Sequence, residues 1–330
     1  MAELRRHPLS GDWVVICPEE GGVAPGENHR DCAFCPGREA ETGKEIYRLG
    51  GNGDRGEAGW TMRVVAGSPP IFHVEGGFDK MGVGMCDRME AVGAHEILVE
   101  SPSHCTEMEG LGEGQILAIL DTLRLRAVDL GNDTRLKHFL AFKVRSFDLG
   151  EGARHPRWQI VASPFVPSAI KLELNAARKY YGFKERCLFC DYVLQERRAK
   201  SRVIYEDSRV IALSPYAARI PYEVWVLPLR HSPDFQTATY DELQSLAVIL
   251  KHLAGAIRNL AGAQGYVLAI HTAPFRRPKA DAWRTIDQDY HWHVRIEPSV
   301  AATAGTAERG GFHLNPVSPE DAAAVLAFPR

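Results

Sequence analysis

Two CxxC pairs, each followed by two histidines in the same order, constrain this chain more than any other feature. The first half reads Cys32-Ala-Phe-Cys35, then His104, then His155-Pro-Arg157; the second reads Cys187-Leu-Phe-Cys190, then His231, then His291-Trp-His293. A structural zinc takes four soft or borderline donors in a tetrahedron. One CxxC turn supplies two thiolates, and the histidines come from elsewhere in the fold. One such pair alone is weak evidence; two sets in the same order are much stronger. The expectation is two Zn2+ sites, Cys32, Cys35, His104 and His155 in one and Cys187, Cys190, His231 and His291 in the other, in a chain built as a repeat. The alternative is a pair of redox dithiols among 13 scattered histidines. His95 competes with His104 as third ligand and reads more simply as a packed strand histidine. Cys17, Cys86 and Cys105 read as buried or idle thiols.

The flanks repeat too. His104 follows the apolar run 95–100 (HEILVE) and His231 follows 224–227 (VWVL), and a helix comes next in both halves. Residues 113–130 bring Ile116, Ile119, Leu120, Leu123 and Val128 near one face, and residues 240–260 bring Leu243, Leu246, Ala247, Leu250, Leu253, Ala254 and Ile257 to one face. Thr239 and Glu242 have capping-box spacing. Ser318-Pro319 opens a C-terminal helix with Pro at its first position. Residues 40–60 and 274–288, rich in Gly, Pro and charge, read as surface loops. The boundary between halves falls at 165–180.

Side chains alternate along a strand. In 291–297 (HWHVRIE), His291, His293, Arg295 and Glu297 share one face, and Trp292, Val294 and Ile296 face a core. In 155–161, His155, Arg157 and Gln159 oppose Trp158 and Ile160. A face carrying a metal ligand, an imidazole and a cation suits phosphate chemistry: the ring can attack phosphorus, and the guanidinium can hold phosphoryl oxygens.

Bulk properties narrow the classes. A net charge of -3 does not steer the chain toward nucleic acid or an anionic membrane. The N-terminus has no apolar signal core, and no apolar run approaches a membrane span, so the cytoplasm is the expected compartment.

The segments RRHPLSGDWVVICPE, CAFCPGRE, GAHEILVESPSH, HPRWQIVASPFVP, CLFCDYV, SPYAARIPYEVWVLPLRH, HTAP, YHWHVRIEP and LNPVSPEDAA resemble galactose-1-phosphate uridylyltransferases, in the right order and over nearly the whole chain. The second half also resembles a single histidine-triad (HIT) module. The resemblance implies an α+β fold of tandem HIT-like halves, 1–168 and 169–330. Each would have an antiparallel sheet flanked by helices and a zinc site, and the protein would be a homodimer. It implies a ping-pong reaction in which a histidine takes a nucleotidyl group from a nucleotide sugar and passes it to a sugar phosphate.

The departures are as informative. The resemblance implies a nucleophilic histidine where this chain has Arg157, with Gln159 two residues on. A guanidinium stays protonated and offers no lone pair, so Arg157 cannot form the covalent intermediate. The Asn-Lys implied after the Arg63-Val-Val run is replaced by Ala66-Gly67-Ser68, and an Asn implied after Phe142-Lys143 by Val144-Arg145. The second half keeps His293 at the position matching a HIT nucleophile, with Arg295 where the HIT module has its third histidine. Three functions follow as expectations. The first is a nucleotidyltransferase or phosphorylase with His293 as nucleophile and Arg295 and Arg157 as phosphate clamps. The second is a nucleotide-binding protein without turnover. The third is a direct transfer in which Arg157 stabilises charge and no covalent enzyme forms. Gln159 joins the catalytic set, and Arg5, Arg6 and Glu308 join the substrate-binding set.

Overall fold

The structure is a computed structural model, and it describes residues 2–17, 32–51, 59–147, 155–277, 283–301 and 312–328. Glu308 lies outside them. The strands are β1 (Glu3–Arg6), β2 (Trp13–Ile16), β3 (Glu45–Gly50), β4 (Trp60–Ala66), β5 (Met81–Val83), β6 (Cys86–Glu90), β7 (Ala94–Val99), β8 (His138–Ser146), β9 (Arg157–Ser163), β10 (Val203–Glu206), β11 (Val210–Leu213), β12 (Val224–Pro228), β13 (Ala263–His271) and β14 (His293–Val300). The helices are α1 (Glu113–Leu130), α2 (Ser168–Lys184), α3 (Leu188–Ala199), α4 (Tyr240–Arg258), α5 (Ile286–Asp289) and α6 (Pro319–Leu326).

Ten strands form one antiparallel sheet in the order β10-β11-β12-β14-β13-β8-β9-β7-β4-β3. Read inward from either end the pattern is the same: two paired strands, a third strand, the strand that follows a candidate ligand histidine by two residues, and a long inner strand. The two series meet where β13 pairs with β8 along Gly265–Ile270. The remaining strands make a small sheet, β2-β1-β6-β5.

The alternation read in the sequence decides which face is dry. Trp158, Ile160, Trp292, Val294 and Ile296 lie in one continuous core with Leu120 and Leu123 of α1 and Leu246, Leu250 and Leu253 of α4. The two long helices pack on each other across the seam. Trp158 and Trp292 are fully buried, so truncating either to alanine should cost about 3–5 kcal/mol. Thr239 caps α4 reciprocally: its hydroxyl accepts from the Glu242 N–H at 3.3 Å, and the Glu242 carboxylate accepts from the Thr239 N–H at 2.8 Å.

Two sequence expectations need correction. Residues 45–50, placed in a loop, are the edge strand β3. Glu45 neutralises Arg48 at 2.9 Å and Arg63 at 2.7 Å, and an edge strand tolerates such charge because one side of it is unpaired. Val128, grouped with the apolar face of α1, is exposed, because five residues past Leu123 it lies about 140° further round the helix.

Candidate active site

Both Cys/His sets converge. In the first, Cys35 Sγ lies 3.4 Å from His104 Nδ1 and 3.8 Å from His155 Nδ1, and Cys32 Sγ lies 3.7 Å from His155 Nδ1. In the second, Cys190 Sγ lies 3.4 Å from His231 Nδ1 and 3.7 Å from His291 Nδ1. The outer ring nitrogens donate to backbone carbonyls: His155 Nε2 to Ser101 O at 2.7 Å, His231 to Asp287 O at 3.0 Å, and His291 to Pro228 O at 3.0 Å. That fixes the tautomer and turns each Nδ1 lone pair inward. A hydrogen bond from Cys190 holds the Cys187 thiol well below the ordinary thiol range against the effect of burial. Each set can hold a metal ion. His95 is in neither set.

A third group that can hold a metal ion was not foreseen: Glu173, His271 and His293. Glu173 sits on α2 among Ile170, Leu174 and Ala177, which pack on the sheet face opposite the main core. A carboxylate inside a helical apolar stripe was the sequence signal. Burial raises its pKa, but His271, His293 and Arg295 together bring it down to about 2. His271 Nδ1 is 3.0 Å from it, and the Tyr290 hydroxyl donates to it at 3.0 Å.

This helix changes the outlook for His293. The ring is fully buried, within 5.0–5.7 Å of the His271, Phe189 and Trp225 rings between centroids. Its Nδ1 donates to His291 O at 3.1 Å, so Nε2 carries the lone pair. That nitrogen has no hydrogen-bond partner and lies 3.9 Å from the Glu173 carboxylate. Burial pushes the ring's pKa down to about 3, with Glu173 opposing. The expected attacking atom is therefore aimed at a carboxylate under a helix. Arg295 is likewise taken up, at 2.9 Å from Glu223, 3.0 Å from Glu297 and 3.3 Å from Glu173.

The corresponding place in the first half is open. The β13–β14 ladder runs as far as His271–His293, whereas the β8–β9 ladder ends at Phe142–Gln159. Beyond that point a cavity of about 270 Å³ is lined by Glu107, Lys143, Arg145, Arg157 and Gln159, among others. The Arg157 guanidinium lies over the Phe34 ring at 4.9 Å. Lys143 is buried and held by both Glu100 oxygens at 2.7 Å, and Arg145 Nε is 3.1 Å from Glu107. Burial raises the Glu107 pKa although Lys143 and Arg145 oppose it. Lys143, Arg145 and Arg157 against Glu100 and Glu107 leave one net positive charge, which makes this an anion-favouring wall. Arg5 and Arg6 are elsewhere: they line a separate cavity of about 580 Å³ with Val14, Ile16 and Val83 on the small sheet.

With this geometry in hand, comparisons with known proteins are decisive about kinship. Residues 173–324 match the family model "Galactose-1-phosphate uridyl transferase, C-terminal domain". An ADP-glucose phosphorylase of Arabidopsis thaliana is 26% identical over 98% of this chain and 92% of its own. A galactose-1-phosphate uridylyltransferase of Thermotoga maritima is 28% identical over 99% of this chain and 98% of its own. Over nearly its whole length the chain is similar to galactose-1-phosphate uridylyltransferases and to ADP-glucose phosphorylase, and its C-terminal part matches the uridylyltransferase model. A solved structure of the Arabidopsis phosphorylase with bound ADP-glucose superposes with a TM-score of 0.73 at 25% identity, covering 99% of this chain and 98% of that one. The chain shares with these proteins a mixed α/β architecture with antiparallel sheets. Among the described residues no helix is long and apolar enough to cross a membrane.

Proposed function

We propose that the protein is a nucleotidyltransferase of two HIT-like repeats, 1–168 and 169–330. It would act on a nucleotide sugar in the first-repeat cavity by direct displacement, with no covalent enzyme. The observation that carries this is the convergence of Arg145, Arg157 and Gln159 on the cavity of about 270 Å³ beside the first Cys/His set. The relatives named as uridylyltransferase and ADP-glucose phosphorylase support nucleotidyl transfer as the reaction class.

Arg157 has no lone pair, so its role is electrostatic: it holds oxygens of the phosphorus under attack where charge builds up. An oxygen of the acceptor, inorganic phosphate or a sugar 1-phosphate, attacks the α-phosphorus. A new P–O bond forms, the bond to the β-phosphate oxygen breaks, and the sugar leaves as its 1-phosphate. Gln159 donates to the same phosphoryl group. His293 takes no part, because its Nε2 faces Glu173.

Zn2+ fits both Cys/His sets. Zn–S near 2.3 Å and Zn–N near 2.0 Å place tetrahedral S···N edges at roughly 3.6 Å, and the observed separations run from 3.4 to 3.8 Å. The metal would be structural, pinning the chain at His155 and His291, two residues before β9 and β14. Assembly as a cytoplasmic homodimer follows the family reading.

The test is turnover of ADP-glucose and UDP-glucose with phosphate or a sugar 1-phosphate, using a nucleotide chiral at the α-phosphorus. Inversion is expected. Retention, or an acid-labile nucleotidyl-protein, overturns direct displacement. Nucleotide binding with no turnover under any acceptor leaves a binding protein instead.

A further inference from the structure

We propose that His95 is a positioning residue that locks the Gln159 carboxamide with its N–H donors toward the cavity. This rests on the reading of that cavity as the nucleotide site. The argument runs through one imidazole. The Ile71 backbone N–H, a fixed donor, points at His95 Nδ1 from 3.3 Å. Nδ1 must therefore accept, and the ring's proton sits on Nε2. His95 Nε2 lies 2.7 Å from Gln159 Oε1, so Nε2–H donates to it. With its oxygen held, the carboxamide presents its NH2 group away from His95, beside Arg157 on the cavity wall. A free glutamine could present its oxygen there instead, facing phosphate with an acceptor.

The sheet supplies the reach. Ile97 is opposite Gln159 and His95 is opposite Val161, so His95 and Gln159 are diagonal neighbours on one face of β7 and β9. The segment after β4 supplies the lock. Gly67 donates its N–H to His95 O at 2.9 Å, and a Cβ built on Gly67 would overlap the imidazole at Nδ1. The chain thus passes against the ring at the one residue type that leaves room for it, and four residues later Ile71 caps Nδ1. This Ala66–Ile71 segment is where the sequence departs from the Asn-Lys pattern its resemblance implies, so the lock belongs to this chain's own version of the site.

Two substitutions separate positioning from packing. Asparagine can put an oxygen near Nδ1 and keep the Ile71 bond, but it falls short of Gln159. Glutamine can put an amide N–H near Nε2 and keep the Gln159 bond. ADP binding is measured by calorimetry on the full-length metal-loaded protein. His95→Asn should weaken it about tenfold, His95→Gln should stay within about threefold, and Gln159→Glu should weaken it at least as much as His95→Asn. Long-range 1H–15N correlation on protein labelled with 15N-histidine reads the ring directly. The His95 signal, identified by its loss in His95→Asn, should be that of the Nε2–H tautomer. An Nδ1–H tautomer overturns the proposal. So does His95→Asn binding ADP like the parent, or His95→Gln falling as far as His95→Asn, which would mark a merely structural ring. If the parent protein binds no ADP at millimolar concentration, the nucleotide reading of the cavity fails, and the tautomer alone then decides the lock.

Discussion

The two ends of the large sheet start alike and finish differently. Each has a CxxC with two histidines gathered beside it, and a strand with one tryptophan face in the shared core. In the second, α2 lies over the polar face, and Glu173 gathers His271, Arg295 and Tyr290 beneath it. In the first, the β8–β9 ladder stops two residues earlier and the corresponding face opens on a cavity with Arg157 at its rim. Keeping a histidine is thus not the same as keeping a site. The half of the sheet that carries His293 is covered by α2, while the half that carries Arg157 has a cavity in the corresponding place.

The largest effect expected is on the metal sets. Cys187→Ser and Cys32→Ser should each lower bound zinc from two ions to one per chain by elemental analysis. Each should cost several kcal/mol, because binding free energy at such sites is folding free energy. If one variant melts like the parent, the repeats are not pinned alike. Next is Glu173→Ala. It strips Arg295 and Tyr290 of a buried partner and should cost about 3–5 kcal/mol in urea denaturation. Glu107→Gln, in the open repeat, should cost about 1 kcal/mol, since the cavity admits water to Lys143 and Arg145.

Acid sensitivity is shared by the two halves of the sheet, since His138 and His293 are both buried with lowered pKa values. His138 on β8 is buried, donates from Nε2 to Thr272 O at 3.1 Å, and leaves Nδ1 unpartnered. Burial pushes its pKa down to about 4 from 6.5. The folded pKa is the lower one, so the unfolded chain takes up the proton first as pH falls. Stability is therefore full above pH 6.5 and declines down to about pH 4, by about 3 kcal/mol for this group. His138→Gln, which keeps a donor to Thr272, should flatten the pH 4–6.5 slope of the unfolding free energy. An unchanged slope would mean that other buried histidines carry it.

Much of this was legible from residues alone. The metal sets, α1, the capping box and the dry tryptophan faces follow from local spacing and period, which fix neighbours a few residues away. The openness of each polar face does not, because it depends on what crosses it from a distance. The run after Pro167 announced a helix, but only the fold shows Glu173 arriving 3.9 Å from His293, 120 residues later in the chain. The same holds for His95. As a strand residue it was legible, but its hold on Gln159 needs β7 beside β9 in one register.

The effects on binding rather than on folding are the most discriminating. Arg157→Ala removes the cation at the cavity rim and should weaken ADP binding about tenfold, near 1.4 kcal/mol. His293→Ala should leave that affinity within about twofold while lowering the melting temperature, because it empties space between Phe189, Trp225 and His271. Were His293 the chemical centre, the order would reverse: His293→Ala would abolish turnover in a protein that still binds nucleotide, and α2 would have to lift from Glu173 to let substrate in. Arg157→His sharpens the contrast. It puts an imidazole where the space is, so a nucleotidyl adduct should form on that residue and at no other histidine. An adduct mapped to His293 in any variant would return the chemistry to the closed repeat.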